Sequence, residues 1–280
     1  MLRTIFSLGI AAFALLFKGC KLPEGMRNGY AFEDGKVVHY AGFPARRIVM
    51  EQADAASFKA INDNYGKDKH YVFLSGKVIE NADPATFVFL GGSYSKDKNH
   101  GYTRDEIIST DAAHFEIVPN PEETPTNVTA QGIAYAKDSR YIYKGNFKIT
   151  NADPATFEFV PMFNGYYVCR DKNYVFWQDN PLEGIDGQSF KRVSEMYFKD
   201  KNGVWSISLG RTIEWVPVPS ADAETFTAVK RFYGRDKNSV FYENRKVEGA
   251  DPATFEETEN YGGKDKTGNY QSGVFITGKR

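Results

Sequence analysis

NADPATFEFVPMFNGYYVCRDKNYVFW, residues 151–177, holds the two blocks that decide the fold. Ala-Asp-Pro-Ala-Thr-Phe closes at Phe157; a basic residue, Asp-Lys-Asn and an aromatic at Phe176 follow it. Both blocks recur. The first centres on Asp68, Asp97, Asp138, Asp171, Asp200, Asp236 and Asp265, and the second ends at Phe58, Phe87, Phe115, Phe157, Phe190, Phe226 and Phe255. From block Asp to the following Phe is 19 residues in four units, 18 in one and 26 in another; from Phe to the next block Asp is 10 in five of seven cases. A period near 29 residues means one small supersecondary unit whose apolar face is covered by its neighbours. The largest insertion, between Phe115 and Asp138, contains VPNPEETPTNVTAQG (118–132) and reads as a loop.

Each block has a physical reading. The residue before the block Asp is always basic (Lys67, Lys96, Lys137, Arg170, Lys199, Arg235, Lys264), and the fifth residue after it is always aromatic (Phe73, Tyr102, Tyr143, Phe176, Trp205, Phe241, Tyr270). Asp followed by Lys-Asn is turn chemistry, because the carboxylate accepts from backbone N–H groups two residues on. Tyr65 before the turn and Val72-Phe73 after it supply a short hairpin. In the second block an Asp stands four before every Phe, and three of these precede proline (Pro84, Pro154, Pro252). Asp-Pro-Ala-Thr-Phe therefore predicts a capped helical or 3₁₀ turn whose Phe plugs the core. Lys77-Val78-Ile79 marks a third strand, and Phe87-Val88-Phe89-Leu90 starts a fourth leading into the next hairpin. The expected fold is all-β: tandem β-hairpin repeats with short helical turns in an open curved array. A β-propeller is the alternative, disfavoured because 29 residues barely hold four strands.

Composition narrows the function. Thirty-five basic and 36 acidic side chains leave a net charge of −1, so no overall field points to a nucleic acid or an anionic surface. Aromatics make up 15% of the chain, a bias that suits strands. Two cysteines, Cys20 and Cys169, are too few for a disulfide framework.

The N-terminus reads as an address. Met1-Leu2-Arg3 is a short basic start, and Ile5–Phe17 (IFSLGIAAFALLF) is too short to span a bilayer in helical form. It matches the apolar region of a secretory signal. Phe17-Lys18-Gly19-Cys20 resembles a bacterial lipobox: Gly19 and Cys20 fit, whereas Phe17 and Lys18 depart from the usual residues. This assigns 1–19 to a lipoprotein-like signal peptide, Cys20 to lipidation, 20–29 to a linker and 30–280 to about seven repeat units. The alternatives are an uncleaved signal anchor and ordinary cleavage beside an unmodified cysteine.

Asp-Lys-Asn-Tyr-Val-Phe at 171–176, with its relatives at 68, 97, 200 and 236, resembles the DKNYY family of bacterial repeat proteins. The likeness runs from about residue 30 to 275. Ser139-Arg140 replaces Lys-Asn in one copy, Gly101 replaces an apolar residue, and the last copy lacks its second block. The resemblance implies an exported repeat protein and assigns no activity.

Candidate chemistry is sparse. Recurring Asp could suggest calcium, but basic neighbours favour turn formation. The recurring bases read as a self-neutralising face, and the recurring aromatics as core. His39, His70, His100 and His114 lack the close pairing of a zinc site. No nucleophile elbow, P-loop or dinucleotide fingerprint occurs. Cys169 stands where other copies have Gly66, Ser95, Ala136 and Gly234, so it reads as a packed thiol. Trp177 and Trp215 break the repeat pattern and are the ligand-contact candidates. The expectation is a non-enzymatic envelope protein without cofactor, metal or nucleic acid, held to the membrane by a lipid anchor. Its partner would be an envelope protein, or alternatively a glycan or cell-wall polymer; a secreted or periplasmic location is the alternative. An unrecognised enzyme ranks last.

Overall fold

Strands of two to six residues, punctuated by aspartate turns, build eight small antiparallel sheets in the computed structural model, which describes residues 27–119, 134–162, 166–209 and 212–276. The first sheet has three strands (Gly29–Glu33, Lys36–Ala41, Arg46–Val49), and the other seven have four each, paired in chain order. Each sheet has two edge strands and none closes into a barrel. The all-β tandem-hairpin reading therefore stands. Four strands fit in one period, the hairpin with the expected third and fourth strands, because the outer strands are as short as two residues. In the second sheet they are Lys59–Ala60, Tyr65–Lys67, Val72–Leu74 and Lys77–Val78. The strand after each plug Phe, such as Val88–Gly91, is the first of the next sheet.

Two turn chemistries close the meander of the second sheet. Between the second and third strands lies a four-residue loop, in which the Asp68 N–H donates to Tyr71 O at 2.9 Å. Between the third and fourth lies a two-residue turn with positive φ, Ser75 at 49° and Gly76 at 82°, the hairpin type whose twist matches its strands. Val72 and Phe73 are both fully buried, so both faces of the third strand are covered, as their adjacency predicts.

Contacts divide the chain into two units: residues 1–90 with 94–112, and residues 91–93 with 113–280. In the first, Phe58 and Phe73 pack with Val37 and Met50, and Tyr65 with Ile79, Phe87 and Tyr102. In the second, the largest cluster surrounds Phe190, Tyr197, Phe198 and Phe226. Every plug Phe is buried, so each contributes about 1.5–3 kcal/mol of burial. The proline- and threonine-rich insertion falls mostly outside the described residues, as do the signal and Cys20.

Candidate functional site

Most of the recurring polar residues are consumed by the fold. Block aspartates Asp68, Asp97, Asp138, Asp171, Asp200 and Asp236 are buried. In Asp171, one carboxylate oxygen accepts the Asn173 and Tyr174 N–H groups at 2.7 and 2.8 Å. The other accepts the Asp153 N–H at 2.7 Å, tying the hairpin to the preceding capped turn. The same tie joins Asp54 to Asp68, Asp83 to Asp97, Asp186 to Asp200, Asp222 to Asp236 and Asp251 to Asp265. These carboxylates are backbone acceptors in a turn, not an open cation loop.

The second-block Asp is the cap the sequence predicts. Asp83 Oδ1 accepts from the Thr86 N–H and hydroxyl, both at 2.9 Å, and the Phe87 N–H closes the turn on Asp83 O at 3.0 Å. Its other oxygen pairs with the lysine after the block Asp: Lys98–Asp83 at 2.8 Å, Lys172–Asp153 at 2.6 Å, and likewise Lys69–Asp54, Lys201–Asp186, Lys237–Asp222 and Lys266–Asp251. The lysine and the Thr86 contacts hold the Asp83 carboxyl down to about 2, and Lys201 with the Ser189 hydroxyl and N–H does the same for Asp186. The Lys–Asp ladder thus neutralises itself on an exposed face. In the six copies with a following capped turn, the base before the block Asp reaches that turn's carbonyls, as in Arg170 Nη1 to Phe190 O at 2.7 Å and Lys199 Nζ to Phe226 O at 2.7 Å.

The two nominated tryptophans meet: Trp177 and Trp215 lie edge to face with centroids 6.3 Å apart, both half-buried. Trp215 packs on Phe198 at 4.8 Å, and its indole N–H is buried without a partner. Trp177 has a different role. It lines a cavity of about 180 Å³ between the fourth sheet (Glu116–Ile117, Tyr135–Lys137, Ile142–Lys144, Phe147–Lys148) and the fifth (Glu158–Pro161, Tyr167–Arg170, Val175–Trp177, Asn180–Pro181). The remaining walls are Tyr135, Ile149, Phe157, Tyr166, Tyr167, Cys169 and Phe176, with Lys144, Gln178 and Asp179 as its polar side.

Asp179 organises that polar side. The Tyr135 hydroxyl donates to Oδ1 at 2.5 Å and Lys144 Nζ to Oδ2 at 2.5 Å. Gln178 and Asp179 form the two-residue turn at φ 49° and 69°, where neither has glycine's freedom and the left-handed backbone is strained. Burial, with Asp179's charge adding to it, pushes the Cys169 thiol well above its ordinary value, with Lys144 partly opposing. Burial also raises the Tyr135 phenol, with smaller contributions from Cys169 and Asp179. Cys169 is thus a neutral packed thiol rather than a thiolate nucleophile. Sequence reasoning found Trp177 but missed Lys144, Tyr166 and Asp179. The one available signal was Gln178-Asp179 in the turn that elsewhere reads Ser75-Gly76 or Ser272-Gly273.

The remaining candidates stay apart. His39 is buried, its Nε2 2.9 Å from Asp63 O. Among the described residues no three His, Cys, Asp or Glu side chains group as metal ligands, and no helix is long and apolar enough to cross a membrane.

These features define a class: an all-β tandem-repeat protein whose recurrent charges latch turn to hairpin. The chain belongs to the DKNYY family, whose model matches residues 24–106, 92–209 and 206–277. No curated protein and no solved structure matches it significantly.

Proposed function

We propose that this protein is a non-enzymatic module of the bacterial cell envelope, exported through its N-terminal signal and anchored by lipid on Cys20. The observation that carries the non-catalytic half is the occupancy of the repeat carboxylates: each tie described above commits both oxygens to backbone or hydroxyl donors and lysines. A general acid or base needs such a group turned toward a substrate. The anchoring half rests on the sequence of residues 1–20. Several acyl chains, at about 0.8 kcal/mol per buried CH₂, hold a protein at a bilayer without a spanning helix. Metabolic labelling with a palmitate analogue tests this. Label in the membrane fraction that disappears in Cys20→Ala is the expected result, and unlabelled wild-type protein would overturn the anchor.

A second reading, a ligand-binding module for glycan or cell-wall polymer, is favoured by the aromatic cavity at Trp177. Most recurrent aromatics are core plugs, whereas this cavity is lined by the half-buried Trp177 and the exposed Tyr166.

A further inference from the structure

We propose that the cavity between the fourth and fifth sheets binds one neutral pyranose ring, its C–H faces against Trp177 and Tyr166 and its hydroxyls on Asp179, Lys144 and Gln178. The inference rests on the ligand-binding reading of the protein and is independent of the lipid anchor.

The equivalent place in the last pair of sheets shows what is special here. There the turn lies directly against its neighbour: the Gly273 N–H donates to the Tyr233 hydroxyl at 2.9 Å, and a Cβ on Gly273 would come within 2.7 Å of Tyr242 Cβ. Between the fourth and fifth sheets the tyrosine instead meets a side chain, Asp179, and the cavity opens beside that contact. Gln178 and Asp179 hold positive φ without glycine, a strain that the ties from Tyr135 and Lys144 offset.

Size and charge select the ligand. A volume of about 180 Å³ lies below the usual range for drug-sized ligands and suits a single ring. Lys144 and Asp179 cancel, so a charged ligand meets no net counter-charge. A wholly apolar ring would cover this half-exposed ion pair without replacing its water. Each Asp179 oxygen still has a lone pair, and the Lys144 ammonium has donors beyond the one directed at Asp179. A ring with apolar faces and hydroxyls on its edge matches both halves of the site.

The test is saturation-transfer NMR on the full chain, purified from whichever fraction holds it, in a polyoxyethylene detergent whose head group carries no sugar. The probes are the methyl pyranosides of glucose, galactose and N-acetylglucosamine, with cyclohexanol as the apolar comparison. We expect transfer to the ring protons of at least one pyranoside. Binding should weaken about tenfold or more in Trp177→Ala and in Tyr166→Ala. Tyr166 is exposed, so its variant keeps the fold if Trp177→Ala does not. Tyr261→Phe, an exposed ring that does not line the cavity, should bind like wild type. No transfer to any pyranoside, transfer to cyclohexanol alone, or pyranoside binding that survives both alanine variants would each overturn the proposal. Because the readout does not involve lipid, failure of the palmitate labelling leaves the sugar result standing, and the reverse holds equally.

Discussion

The floor of the hairpin is glycine in three copies and phenylalanine in one, and the contrast shows how a repeat tolerates exceptions. Gly66, Gly234 and Gly263 lie under the plug rings Phe58, Phe226 and Phe255, where an added Cβ would meet a ring carbon at 2.2 to 2.4 Å. In the sixth sheet Phe198 takes that position, and Phe190 lies parallel to it with centroids 5.5 Å apart. The extra volume comes with longer strands, Val204–Leu209 and Ile213–Pro217, and with Trp215 folded over Phe198. One enlarged copy thus has compensations on three sides.

The largest expected effect breaks this enlarged copy. Phe198→Gly removes a fully buried ring stacked on Phe190 and leaves a cavity that Trp215 cannot fill. It should cost about 3–5 kcal/mol, read as a lowered urea-unfolding midpoint. A loss under about 1 kcal/mol would mean that the enlarged copy collapses to the glycine geometry unaided.

The latch ranks next. Asp236 accepts the Asn238 and Ser239 N–H groups at 2.7 Å each and the Asp222 N–H at 2.8 Å. Asp236→Ala strips three partly buried donors of their acceptor and should cost about 3 kcal/mol. Asp236→Asn keeps an oxygen for the turn and should cost clearly less; equal costs would argue that the carboxylate's charge, not its position, matters.

Gly234→Ala sharpens the same contrast at smaller scale. Forcing a Cβ under Phe226 should cost about 1–3 kcal/mol by overpacking. Cys169→Ala, at the matching position of a copy already built around a Cβ, should cost less. A neutral Gly234→Ala would show that the plug ring moves freely.

A second internal contrast predicts a gain. Tyr102, Tyr143 and Tyr270 donate to the second oxygen of their block Asp at 2.7, 2.6 and 3.1 Å, whereas Phe73, Phe176 and Phe241 occupy the same place without a hydroxyl. Phe241→Tyr should therefore add a bond to Asp236 and raise stability by about 1 kcal/mol. Destabilisation instead would mean that this copy packs too tightly for the oxygen.

The legible part of this molecule is the part that repeats. Seven in-phase copies exposed the turn Asp, the capped turn and the plug Phe, because each must satisfy the same backbone donors at the same spacing. The latch between Asp171 and Asp153 was not legible, since it runs from a carboxylate to a main-chain N–H 18 residues away and leaves no mark on residue type beyond the Asp itself. The cavity was half legible. Trp177 stands out from the pattern, but Lys144 and Asp179 are 35 positions apart in different sheets, and one sequence offers nothing to link them.

The smallest effect separates charge from geometry in the capped turn. Asp186 is held down to about 2 from an ordinary 3.8, first by the hydrogen bond from Lys201, then by the Ser189 hydroxyl and N–H. A lowered folded-state value means that the unfolded chain takes up the proton first. The stabilisation is therefore fully present above the unfolded value and is lost as pH falls through about 2. Asp186→Asn keeps an oxygen to accept from Ser189 and loses the charge together with the acceptor for Lys201. The unfolding midpoints of wild type and Asp186→Asn should differ near neutral pH and converge as the pH drops from about 4 toward 2. The exposed Lys201 makes that gap small and reducible by salt. A gap that persists unchanged through this window would assign the cap's contribution to hydrogen-bond geometry alone and leave the Lys–Asp ladder without a part in holding the turns.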